Sequence, residues 1–287
     1  MTQVTFTDLV KSYQPSGTLW RAFAPPSSLS VNGTEFIGQS GNPAFGFFDN
    51  FLTFNETTLV GPYAHLNDGG TVAKAADTAD AKGVLSLVAE ADAGGDVTTV
   101  KWGSTLSAPF KLAGNDLVFE ARISINNITT LKNGFFVGLA EADAIGDNGL
   151  ITDADAIADN NLLGFVSLSA ETTNIDGCYK ADGQTAQDGS TKSKLLDLIP
   201  SADVFTADNT NYVKVGFRYR SHPEKVEWFV NGTLAGTTAA PARITASEIA
   251  AATFPGDTFL APYIGFQTVD ANALTLNLDW WGCAQYL

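Results

Sequence analysis

The stretch NYVKVGFRYRSHPEKVEWFVNGTLAG, residues 211–236, decides the fold class. Its first ten residues alternate, with Val213, Val215, Phe217 and Tyr219 on one side and Lys214, Arg218 and Arg220 on the other. A period of two is the signature of a half-buried β-strand, because successive side chains point to opposite faces. His222-Pro223 then breaks the run and reads as a turn. In the next segment Val226, Trp228 and Val230 share the inner face, which leaves Glu227 and Phe229 opposite. Asn231-Gly232 between strand-like residues predicts a two-residue hairpin, since a type I′ turn needs positive φ at both positions.

The same pattern spreads in both directions. LVFEARISI (117–125) puts Leu117, Phe119, Ala121, Ile123 and Ile125 on one face and Val118, Glu120, Arg122 and Ser124 on the other. GFFVGLA (134–140) and LLGFVSLS (162–169) are apolar runs too short for helices and read as buried strands. GVLSLVAEAD (83–92), TTVKWGST (98–105), APYIGFQTV (261–269) and LTLNLDWW (274–281) add four more. Short helical pieces are expected at SKLLDLIP (193–200) and ASEIAAATF (246–254). Without strand–helix alternation, these elements predict an all-β, antiparallel β-sandwich.

Composition agrees and narrows the function. Of 287 residues, 45% are hydrophobic, enough for a full core, and only 16% are charged, below the usual quarter or so. Thirty-one Asp and Glu against 16 Lys and Arg give a net charge of -15. Such a chain repels phosphate backbones and anionic membranes, so neither nucleic acid nor membrane is an expected partner. The opening MTQVTFTDLV lacks the basic and apolar regions of a secretory signal. Cys178 and Cys283 lack zinc-ligand spacing and are either a disulfide or two free thiols, the free state being favoured.

Residues 1–44 differ from the rest. Pro, Ser and Gly mix with isolated aromatics, among them Trp20, Phe23 and Phe36, and no period persists. The segment reads as an extended arm whose aromatics pack on another surface. At the other end, ALTLNLDWWGCAQYL (273–287) places Leu274, Leu276, Leu278 and Trp280 inward if the alternation is unbroken. Thr275, Asn277, Asp279 and Trp281 then share the outer face, and Trp281 either lies under the arm or anchors a contact with another subunit.

The order FEARISI, GFFVGLAEADA, LLGFVSLS, YVKVGFRYR, VEWFVNGTLAG and LAPYIGFQTVDANALTLNLDWW resembles the concanavalin A-like, or laminin G-like, jelly roll. More narrowly, the run LTLNLDWWGCAQ is similar to the last strand of such folds in virion proteins of tailed bacteriophages. That resemblance implies a jelly roll over residues 45–287 preceded by the arm, 1–44. It further implies a non-enzymatic capsid decoration protein on the virion surface, made in the host cytoplasm. Its partners would be the major capsid protein and neighbouring copies of itself, with a trimer as the first guess. Trp20, Phe23 and Trp281 would be the partner contacts, and no cofactor is implied. The alternative is a lectin-like carbohydrate-binding module of a virion or tail.

Because jelly rolls of this type include glucanases, acid pairs matter. Glycoside hydrolysis needs two carboxylates about 5–10 Å apart. Glu120 is followed on its face by Arg122, which reads as an ion pair on a solvated sheet. Glu227 has no second acid on its face. Glu141 with Asp143, and Glu90 with Asp92, share faces where strands give way to loops. The run 141–160, with Asp147, Asp153, Asp155 and Asp159, reads as a solvated acidic loop, with calcium as the alternative. His65 and His222 are read as turn residues, and no nucleophile elbow or phosphate loop is present. No catalytic, cofactor or metal residue is therefore expected, and the chain is expected not to be an enzyme.

Overall fold

The computed structural model describes residues 35–39, 42–49, 51, 63–76, 83–89, 97–125, 133–146, 150–151, 157–168, 174–184, 197–200, 212–236, 241–268 and 274–286. The alternating segments pair into two antiparallel sheets. In chain-order numbering, the first holds β1 (Glu35–Gln39), β2 (Asn42–Asp49), β4 (Gly70–Ala76), β5 (Gly83–Ala89) and β8 (Leu117–Ile125). It also holds β13 (Val213–Ser221), β14 (Glu224–Val230), β15 (Thr233–Leu234), β16 (Arg243–Thr245) and β18 (Thr275–Tyr286). The second is built from β3 (Tyr63–Asp68), β6 (Val97–Trp102), β7 (Phe110–Lys111) and β9 (Asn133–Glu141). β10 (Leu162–Ser167), β11 (Asn174–Lys180), β12 (Asp197–Pro200) and β17 (Phe259–Thr268) complete it.

Their orders are β1-β2-β18-β8-β13-β14-β15 and β12-β11-β10-β9-β17-β6-β3. Inward side chains of both form one core, including Phe119, Phe217 and Trp228 from the first sheet and Phe135, Phe165 and Ile264 from the second. Trp228 spans the gap: its Nε1 donates to the Gly164 carbonyl of β10 at 3.1 Å. The indole lies against Gly177 of β11, where an added Cβ would come within 2.8 Å of Nε1. The hairpin forms as the sequence predicts, with φ of 51° at Asn231 and 79° at Gly232.

Two expectations change. Residues 197–200 of SKLLDLIP form edge strand β12 instead of a helix, because pairing of Asp197, Ile199 and Pro200 with β11 outweighs a weak local preference. The second helix forms as α1 (Ala246–Ile249), with the Glu248 carboxylate accepting from the Thr245 N–H at 2.9 Å. Of the expected arm, residues 1–34, with Trp20 and Phe23, lie outside the described residues. Glu35–Gln39 and Asn42–Ala44 pair as strands at one edge of the first sheet.

The larger change is at the tryptophans. Leu278 pairs with Ile123 and Trp280 with Arg122, so Asp279 is one extra residue in the ladder. A β-bulge of this kind reverses the facing of everything beyond it. Trp281 therefore pairs with Ala121 on the inner face and is 0% exposed, while Trp280 takes the outer face. The unbroken alternation assigned these two residues the other way round.

Candidate functional site

Trp281, expected as a partner contact, is instead part of an aromatic cluster between the sheets. Phe47 meets it edge-on at 5.9 Å, and Tyr63 stacks on it at 6.1 Å. A side chain so enclosed offers no surface to another molecule. Beside it the Tyr63 hydroxyl donates to the Asp49 carboxylate. Burial and that carboxylate push the Tyr63 hydroxyl well above its ordinary range.

The candidate acids separate into different environments. Glu120 is not a solvated partner of Arg122: it is buried, and Arg122 bonds to Asp279, the bulge residue. Glu227 is 3% exposed and bonds to Arg218, to Lys225 at 3.0 Å and to Arg243 at 2.6 Å. Burial opposes its ionisation, but the hydrogen bonds and charges of Arg218 and Lys225 outweigh this and bring it down to about 2. Glu227 is thus a fixed anion, unsuited to proton transfer near neutrality. Glu90, Asp92, Asp147, Asp153 and Asp155 lie outside the described residues. Among the described residues no three His, Cys, Asp or Glu side chains stand where they could share a metal ion.

The outer face of the second sheet is largely filled by its own chain. Phe136 lies over Gly138 and Gly164, where an added Cβ would come within 3.0 Å and 2.9 Å of its ring. Ala144, Ile145, Leu150, Ile151 and Ile157, from the β9–β10 connection, pack with it into a second apolar cluster.

One corner of this face stays open. Lys101 of β6 is 0% exposed, and its ammonium donates at 2.9 Å to the carbonyls of Ser104, Thr105 and Ala142. All three N–H groups are used, so one buried cation ties the β6–β7 loop to the short 3-10 helix Ala142–Gly146. The residues after these anchors, Leu106 and Asp143, are both exposed. Leu106 is 88% and Phe259 57% exposed, the exposed large hydrophobics among the described residues. Phe259 begins β17 opposite Lys111, whose ammonium lies 5.6 Å from the ring centre. Glu141 pairs with the core residue Leu260 and so leaves the sheet on the inner side, where its carboxylate accepts from the Asn161 N–H and side-chain amide, both at 2.8 Å. Asn161 Oδ1 in turn accepts from the Asp182 N–H at 3.2 Å. Asp159 accepts from Lys180 and from the Gly183 N–H at 2.9 Å. Sequence reasoning named Glu141 and Asp143 but missed Phe259 and Leu106, which are apolar residues with nothing local to mark them as exposed.

No family model and no curated protein matches the chain. Among solved structures, a protein of unknown function from Shewanella oneidensis aligns over 100% of this chain and 96% of its own, with TM-score 0.53 and 11% identity. The carbohydrate recognition domain of Emp47p aligns over 90% and 96%, with TM-score 0.52 and 9% identity. An endo-β-1,3-glucanase from Pyrococcus furiosus aligns over 88% and 98%, with TM-score 0.51 and 12% identity. The fold is the concanavalin A-like jelly roll, as the sequence predicts. The glucanase corrects the expectation that the chain is not an enzyme, because this fold is shared by a hydrolase as well as by a carbohydrate recognition domain. Nothing in these comparisons points to a phage virion.

Proposed function

We propose that the protein recognises a carbohydrate at the Lys101-anchored corner of the second sheet. The observation that carries this reading is the exposure of two large apolar side chains, Phe259 and Leu106, with Asp143 and Asp182 also exposed in the connections that leave β9 and β11. Sugar rings offer C–H faces to apolar side chains and hydroxyls to carboxylates, which is the composition found here. The Emp47p carbohydrate recognition domain and the glucanase, which share the fold, support the class of ligand. A place on a virion surface, implied by the resemblance in the last strand, has no such support and gives way to this reading.

The test is binding to a glycan array and to soluble β-1,3-glucan, with release of reducing sugar followed in the same samples. The Phe259→Ala and Leu106→Ala double variant should lose about tenfold or more in affinity while melting at an unchanged temperature. Unchanged binding in that variant, or no binding to any glycan, would sink the proposal. If sugar is released, Glu141→Gln and Asp143→Asn show whether these carboxylates carry the reaction.

A further inference from the structure

Leu106, one of the two apolar side chains at the corner, stands on a loop with little of its own to hold it. Residues 103–109 join β6 to β7, and Ser104, Thr105 and Leu106 are exposed. Gly103 turns the chain at a φ of 93°, and the Ser107 N–H closes the turn on the Ser104 carbonyl at 2.9 Å. That bond lies within the loop. The tie across to the 3-10 helix is Lys101, whose ammonium reaches the Ser104 and Thr105 carbonyls on one side and Ala142 on the other. The two sides are not equal. Ala142 also receives the Tyr263 hydroxyl, at 3.0 Å, so the helix has a second attachment, to β17. The Thr105 carbonyl, next to Leu106, has Lys101 as its donor.

Three carbonyls use every N–H of an ammonium, whereas a neutral amine has two to give. Around Lys101, β17 sets Tyr263 opposite it, the ammonium lying 5.8 Å from the ring centre, and β3 sets Ala64 opposite it on the other side. The 3-10 helix brings the Asp143 carboxylate, and the loop itself has no titratable side chain. Burial pushes the Tyr263 hydroxyl far above its ordinary value, so it keeps its proton. Burial also brings the Lys101 ammonium down to about 8, against the pull of Asp143. Lys101 therefore changes charge just above neutrality.

We propose that Lys101 is the positioning residue of the corner site, its charged amine holding Leu106 where the sugar meets it, so that binding fails when the amine loses its proton. This rests on the reading of that corner as a carbohydrate site. Sugar and proton then favour the same state, so each strengthens the other's binding. Apparent affinity scales with the fraction of molecules in the competent state. At pH 9.5 about one Lys101 in thirty is charged, so affinity should fall about tenfold or more from its value at pH 7.

Soluble β-1,3-glucan is the probe, followed by titration calorimetry in buffers of different ionisation enthalpy. Wild type should lose about tenfold or more in affinity between pH 7 and 9.5, and at about pH 8.5 it should take up a fraction of a proton on binding. Lys101→Met should bind about tenfold more weakly at pH 7, with no further loss at pH 9.5 and no proton uptake. No binding by wild type at pH 7 overturns the proposal through the reading on which it rests. Equal wild-type binding at the two pH values overturns it and leaves that reading intact, even if the loop is nicked faster at pH 9.5. An equal loss with pH in Lys101→Met also overturns it, because another group then titrates. If Lys101→Met does not fold, the proton uptake of wild type decides, and none at about pH 8.5 overturns the proposal.

Discussion

Trp281 and Glu227 are the residues on which the two sheets depend most visibly. Trp281→Ala should cost about 3–5 kcal/mol in chemical denaturation, the usual range for emptying a buried aromatic site. The neighbours Phe47, Phe51 and Tyr63 touch one another only in part and cannot close the gap without moving. Glu227 makes a prediction in pH. Its folded value of about 2 lies below its ordinary 4.5, so its stabilising contribution is complete above about pH 5 and is lost as pH falls toward 2. Glu227→Gln should flatten acid unfolding over that window and lower stability at pH 7 by about 3 kcal/mol, since three cations lose their anion. Simple alternation along β14 shows that Glu227 lies opposite the core face. It could not show the partners, because Arg218 and Arg243 reach Glu227 from 9 and 16 residues away through strand pairing. The bulge at Asp279 was equally silent: two adjacent tryptophans satisfy either register, and only the ladder to β8 chooses.

At the scale of elements, Lys101 joins two segments that share no hydrogen-bonded ladder. Lys101→Met would remove one donor from each of the carbonyls of Ser104, Thr105 and Ala142; Ser104 keeps the Ser107 N–H and Ala142 the Tyr263 hydroxyl, so the loss falls mainly on Thr105, at a cost of about 1–3 kcal/mol. Limited proteolysis should then nick the 104–106 loop at pH 7, where wild type resists. Burial brings the Lys101 ammonium down to about 8, with Asp143 pulling the other way. Above that pH the folded amine keeps two N–H groups for three carbonyls, so wild-type nicking should quicken between pH 7 and 9.5. Global stability should not fall on this account: from about 8 to 10.5 the unfolded chain holds more protons, and the group's contribution rises with pH. Equal nicking at both pH values would refute the clamp. The strands themselves were legible because their alternation is strong, as in β8 and β13. The corner was not, because exposure of Phe259 and Leu106 follows from where neighbouring strands stop. Residues 197–200 misled for a related reason, since their strand character comes from β11 alone.

Over the whole molecule, the two cysteines separate cleanly. Cys283 lies in the inter-sheet core and Cys178 in the cluster on the outer face of the second sheet, and both are buried thiols outside any disulfide. Burial raises the Cys283 thiol well above its ordinary value. A thiol reagent should therefore find none in the native protein and two after denaturation; rapid labelling of native protein would contradict this packing. The position of β18 has a further consequence. It pairs with β2, β5 and β8, and so stands in the middle of the first sheet although it is made last among the described strands. On the ribosome, β2, β5 and β8 must wait without their common partner until some two hundred or more residues have followed β2. Contacts of such long range are slow to form and leave strand edges uncovered meanwhile. Synthesis is then the stage at which this protein is most open to aggregation, and the period ends when β18 leaves the tunnel and closes the sheet.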